Sequence, residues 1–116
     1  MAVITDLTWQ QLETASGLNN LILVDNSYGL TIRLSALTTA AVNAKSQAGV
    51  VQVLYKLREL AALAQITANQ NATIGERLAA FPPASTGTAV NGYVLSSGQI
   101  ITKTPLQTTG ILGANN

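Results

Sequence analysis

A chain of 116 residues is long enough for one small domain. Charged residues make up 9% of it, against roughly 25% in an ordinary globular domain, so Thr, Asn, Gln and Ser have to supply most of its polar surface. The net charge of +1 gives no electrostatic footprint for nucleic acid or an anionic membrane. Because Cys and His are absent, the sequence excludes disulfides, thiolate nucleophiles and sulfur metal sites, and it lacks the usual proton shuttle near neutral pH.

The N-terminal residues do not have the pattern of a secretory leader. Residues 1–6 contain no basic segment, and no long apolar stretch follows them, so we expect no signal peptide. The longest apolar runs, 21–24 and 60–64, are far shorter than the roughly 20 residues that span a bilayer. We therefore expect no membrane partner.

The first predicted element is a helix over residues 9–16. Thr8 and Gln11 have the spacing of a capping box, in which each side chain accepts a hydrogen bond from the other residue's backbone N–H. Gly17 can adopt the left-handed conformation that ends a helix. These signals favour an anchor for the N-terminal segment rather than a binding site.

A β-hairpin is predicted next. Residues 21–24 form a short apolar run, and residues 30–34 alternate apolar and polar side chains, as a half-buried strand does. Between them, residues 25–29 are rich in turn-forming side chains. A two-stranded hairpin alone is marginal in water, so these strands need a helix or another chain to cover them.

Good helix formers dominate residues 36–81, which contain no Pro. We expect helices over 38–48, 50–69 and 74–81, with Gly49 as a kink or a break. The middle helix has an apolar stripe at three- and four-residue steps. The stripe consists of Val50, Val53, Leu54, Leu57, Leu60, Ala61 and Ala64.

The composition changes after Pro83, where charged residues almost disappear and Thr, Ser, Gly and Asn become frequent. We expect strands over 88–95 and 99–104, joined by a turn at 96–98. Residues 108–116 carry no strong helix or strand signal, so we expect either a loose tail or an arm that orders only on a neighbour.

These elements predict an α+β fold. Central Ala-rich helices are flanked by short antiparallel β-hairpins near both ends. An alternative is a helical core whose strands form only between chains. We divide the chain into a helix–hairpin–helix core, residues 1–83, and an extended C-terminal segment for contacts between subunits, residues 84–116, which we name the arm.

No set of side chains points to catalysis. The chain has no Gly-rich phosphate loop and no nucleophile motif. Glu59 beside Arg58, and Glu76 beside Arg77, are typical of solvated helix charges. We therefore expect no enzyme activity and no cofactor, metal or small-molecule substrate. The five carboxylates, none in an acid–base or metal-binding motif, are Asp6, Glu13, Asp25, Glu59 and Glu76.

Several apolar and aromatic residues suit contacts with another chain. A small chain with Ala-rich helices cannot easily close its own core, and extended apolar arms suit strand addition to a neighbour. Tyr is favoured at interfaces because it is apolar at one end and polar at the other. The candidate interface residues are Trp9, Tyr28, Tyr93, Val94, Leu95, Ile100, Ile101 and Leu106.

The stretch from Gly92 to Gly98, Gly-Tyr-Val-Leu-Ser-Ser-Gly, resembles repeats in the tail-fibre proteins of tailed bacteriophages. The low charge and the Thr-, Ala-, Asn- and Gly-rich composition resemble those of small virion proteins of these phages. The resemblance implies a structural subunit of the virion, a capsid cement or tail component, whose partners are copies of itself and a larger capsid or tail protein. The alternative is a small adaptor or binding domain of the bacterial cytoplasm with a flexible C-terminal tail.

Overall fold

A computed structural model describes residues 3–102. Two helices and two small antiparallel sheets confirm the predicted α+β class. In chain order the elements are α1 (Trp9–Ser16), β1 (Ile22–Asp25), β2 (Gly29–Ile32), a 3₁₀ turn (Leu34–Ala36), α2 (Val50–Asn69), a 3₁₀ turn (Ile74–Glu76), β3 (Ser85–Thr86) and β4 (Ser96–Ser97).

The helix α1 begins and ends where the sequence predicts. The Thr8 side-chain oxygen accepts from the Gln11 N–H at 3.1 Å, and the Gln11 side-chain oxygen accepts from the Thr8 N–H at 2.8 Å. Gly17 ends the helix with φ of 72°, a conformation that costs glycine little. The capping box is therefore formed, and α1 packs on α2.

The first hairpin is confirmed, with a shorter second strand. Strands β1 and β2 pair so that Ile22 faces Ile32 and Val24 faces Leu30. The second strand ends at Ile32 because the chain then enters a 3₁₀ turn. At the base of the hairpin, Leu21 is fully buried and both isoleucines pack on the core, whereas the turn end extends into solvent.

The helix α2 has the predicted bounds and carries one side of the hydrophobic core. Gly49 precedes it with φ of 126°, which is not a helical conformation, so α2 begins after this glycine and does not continue a longer helix. The buried core cluster consists of Leu12, Leu21, Leu37, Val53, Leu60 and Ala61.

The helix predicted over 38–48 is wrong. Side chains take the backbone groups that a helix would use: the Thr38 hydroxyl accepts from the Ala40 N–H at 3.1 Å, and the Gln47 side chain accepts from the Asn43 N–H at 2.6 Å. Such local side-chain bonds compete with the helical ladder. Residues 38–48 therefore form an irregular segment of bends and turns.

The helix predicted over 74–81 is also wrong, since only its first turn forms, as 3₁₀. The backbone groups of Leu78 and Phe81 bond to side chains of α2 instead of to a helical ladder. The tertiary contact therefore overrides a local helix signal.

The second hairpin forms with a different turn from the predicted one. Residues 96–97 lie in β4, paired with β3, and are not the turn. The chain reverses at Asn91 and Gly92, with φ of 53° and 80°, and mutual backbone bonds of 2.7 and 2.9 Å join Val90 and Tyr93. Positive φ at both central residues defines a type I′ turn, which matches the twist of paired strands.

The strands of this hairpin are correspondingly displaced. Residues predicted as one strand, 88–95, contain the turn, and residues 99–102 are not in a strand. The remainder of the second predicted strand, 103–104, and the predicted tail, 108–116, lie outside the described residues.

Candidate interaction surface

The described part of the arm, residues 84–102, is held outside the core. Every residue from 85 to 102 is exposed, although six of them carry large apolar side chains. The core cluster includes none of these residues. The exposed apolar residues of the arm are Val90, Tyr93, Val94, Leu95, Ile100 and Ile101.

Seven of the eight predicted interface residues lie in the described part of the chain, and all seven are exposed. Five of them share the second hairpin or the segment that follows it. Trp9 lies on α1, and Tyr28, 83% exposed, lies in the turn of the first hairpin, so the aromatic residues belong to different elements. Leu106 lies outside the described residues.

The turn end of the first hairpin adds an apolar pair that the sequence analysis did not single out. Val24 and Leu30 are directly opposite each other in the register, and both are exposed. The sequence signal was the alternation of apolar residues up to a short turn. The sequence predicts that a helix or another chain covers these strands, and within residues 3–102 nothing covers this end of the hairpin.

Apolar side chains surround α2. Leu60 is 3% exposed, whereas Leu63 and Ile66, on another side of the same helix, are 51% and 58% exposed. Val50 and Leu54 belong to the predicted apolar stripe but are exposed, although Val53 of the same stripe is buried in the core. A helix that is apolar on all sides is normally buried on all sides. α2 therefore has uncovered faces.

The expectation that Arg58 is a solvated charge is wrong, because its side chain is 6% exposed. Its guanidinium donates to the carbonyl oxygens of Pro82 and Gln99, the latter at 3.2 Å from Nε, and to the Glu59 carboxylate at 3.1 Å. Of these three acceptors, the sequence pattern indicates only the carboxylate of Glu59. The two carbonyls, 24 and 41 residues away along the chain, are what draw the cation inward.

Two amide side chains of α2 hold the segment before the arm. Gln65 donates to the Phe81 carbonyl at 3.2 Å and accepts from its N–H at 3.0 Å. Asn69 does the same with Leu78, at 2.8 and 3.0 Å. Each amide thus takes both backbone groups of one residue, as a neighbouring strand would, and fixes this segment along the helix.

Within residues 3–102, the side chains offer little for small-molecule chemistry. No group of three or more acidic residues could hold a metal ion there. One open cleft of about 510 Å³ lies between residues 32–35 and 40–43, with Arg33 as its one charged lining residue.

Within the same residues, no helix combines the length and the hydropathy that crossing a bilayer requires. Most of the exposed large apolar residues lie in the arm, at the turn end of the first hairpin and on the uncovered faces of α2. No family model, curated protein or solved structure matches this chain.

Proposed function

We propose that this protein is a non-enzymatic structural subunit of a larger assembly, a virion component of the capsid-cement or tail type that stabilises its neighbours through the arm. The observation that carries the proposal is the distribution of large apolar side chains. In the described residues 21 of them are exposed, whereas five, Leu12, Leu21, Leu37, Val53 and Leu60, are buried. Exposed apolar surface on this scale is typical of interaction sites.

The exposed apolar area is large enough for a protein–protein interface. Full burial of such a side chain removes about 100 Å² from water. With each of the 21 side chains about 40–80% exposed, the apolar area available is on the order of 1,000 Å². A standard interface buries about 800 Å² per partner, so the exposed apolar side chains supply the area of about one such interface.

The charge distribution favours a protein as the partner. From residue 78 to residue 102 the sequence has no Asp, Glu, Lys or Arg. Interface centres are depleted in charge, whereas nucleic-acid sites need basic groups that compensate phosphates. The partner surfaces are therefore apolar and uncharged, as in copies of this chain and in a larger capsid or tail protein.

Support for the virion as the location comes from the sequence resemblance at Gly92 to Gly98. These residues form the second half of the second hairpin, from its turn through β4. Here Tyr93 is 79% exposed and Leu95 83% exposed, so the resembling stretch coincides with the most accessible apolar part of the arm.

The proposal is tested by the native mass of the full chain, measured by analytical ultracentrifugation. We expect species well above the 12.0 kDa of one chain. The variant Leu95→Asp places a charge in the exposed apolar surface and should shift the mass toward the monomer. Ser46→Asp, at an exposed position in the loop before α2, is the matched control and should leave the association unchanged.

Limited proteolysis separates the proposal from the adaptor alternative. In the assembled state the arm should resist cleavage after Pro83, and it should lose this resistance in Leu95→Asp. A wild-type chain that remains monomeric at high concentration and is cut readily after Pro83 would support the adaptor instead.

A further inference from the structure

We infer that Arg58 is the positioning residue of the arm: its buried guanidinium clamps the two ends of the second hairpin to α2 and makes the arm a preformed docking element. The guanidinium binds the carbonyl of Pro82, just before the hairpin, and the carbonyl of Gln99, just after it. Strands β3 and β4 lie between these two points. One side chain therefore closes the base of the hairpin.

The hairpin needs such an anchor because its own pairing is short. Strands β3 and β4 contain two residues each, and near the turn a single isolated bridge joins Val90 and Tyr93. A two-stranded hairpin of this size is marginal in water. Apart from Arg58, one backbone bond ties the described arm to the body, from the Ile101 N–H to the Ala80 carbonyl at 2.8 Å.

The chemistry of the clamp requires arginine. A buried cation is costly unless its N–H groups find acceptors, and here two carbonyls supply them while Glu59, 40% exposed, supplies the counter-charge. The planar fork of a guanidinium can reach several acceptors in fixed directions. The point charge of a lysine offers no such geometry.

Gly98 gives an independent sign that this contact determines the local structure. A Cβ atom at this position would lie 2.6 Å from Nε and 2.7 Å from Cζ of Arg58, which is closer than atoms can pack. No positive φ is found there, so space and not backbone conformation demands glycine. Arg58 and Gly98 thus form one contact that two separate substitutions can break.

A preformed arm has a consequence for assembly, and this step rests on the proposed function. A segment that orders only on binding loses conformational entropy at that moment and binds more weakly. By fixing the hairpin beforehand, Arg58 lowers this cost. Loss of the clamp should therefore weaken association while the core remains folded.

Hydrogen exchange of the full chain, followed by mass spectrometry at a low protein concentration, tests the clamp directly. Arg58→Gln and Gly98→Ala should each raise the exchange rate of the bonded arm amides, those of Gly87, Tyr93 and Ile101, at least tenfold. The amides of α2 should keep their protection. Lys56→Gln removes an exposed charge from the same helix and should change neither region.

Two results would overturn the inference. In one, the arm amides of Arg58→Gln exchange at the wild-type rate, so that something else holds the hairpin. In the other, α2 loses protection together with the arm, which would make Arg58 a support of the core. Because exchange is measured on the dispersed chain, a wild-type protein that fails to associate contradicts the proposed function and leaves the clamp intact.

Discussion

The same substitution at two leucines of α2 distinguishes the core from the proposed interaction surface. Leu60 is 3% exposed and belongs to the core cluster, whereas Leu63, one helical turn later, is 51% exposed. Replacing each by alanine removes the same atoms from the same helix. The two variants therefore differ only in what the leucine contacts.

The expected magnitudes follow from burial. Leu60→Ala loses the transfer free energy of a buried side chain and leaves a cavity, so we expect a loss of about 3 kcal/mol in the free energy of unfolding. In a domain of this size that lowers the melting temperature by about 10–15 °C. Leu63→Ala should change the stability of the isolated chain by less than about 0.5 kcal/mol, since an exposed helical leucine loses little on truncation.

The assay is urea unfolding of each variant at low protein concentration, followed by far-ultraviolet circular dichroism. Association is measured in parallel by sedimentation, where Leu63→Ala should weaken the assembly. If Leu63→Ala destabilised the dispersed chain as much as Leu60→Ala, α2 would be covered on both sides in the monomer. The reasoning about uncovered faces would then be refuted.

Two further substitutions test how local contacts hold the C-terminal half. Gln65→Leu removes both partners of the Phe81 backbone and should cost about 1–3 kcal/mol of unfolding free energy in urea titration. The control is Gln70→Leu, at the exposed position that follows α2, which should leave the stability unchanged. Gly92→Ala places a Cβ on a residue with φ of 80°, at a local cost of about 1 kcal/mol. Hydrogen exchange in the second hairpin should therefore become about fivefold faster, while the exchange of α2 stays unchanged. Unchanged exchange in the hairpin would mean that the turn does not stabilise the strands.

Part of the interaction surface could be inferred from the sequence. Because a small chain with Ala-rich helices cannot easily close its own core, an arm rich in apolar residues and poor in charge is expected to contact another chain, and its described residues are exposed. The turn within it was predicted wrongly. Asn91 and Gly92 between apolar residues are a strong hairpin signal, and the turn lies there and not at the more polar residues 96–98.

The burial of Arg58 could not be predicted from the sequence. Its neighbour Glu59 offered a local explanation for the charge, so the pattern indicated a solvated pair. The carbonyls that bury the guanidinium are backbone atoms of Pro82 and Gln99. Every residue has such a carbonyl, and no sequence pattern marks the ones that an arginine will reach.

The elements that the sequence alone determined are those whose signals lie within a few residues: the capped helix α1, the first hairpin, and α2 between its glycine and its last apolar turn. Residues 38–48 follow local side-chain bonds, such as that of Gln47, which hydrophobic periodicity does not reveal. Tertiary structure decided the path of residues 74–81, since Gln65 and Asn69 of α2 replace the helical ladder there. It also decided which apolar residues are covered. Periodicity gives each side chain a direction, but only the packed chain shows whether anything lies in that direction.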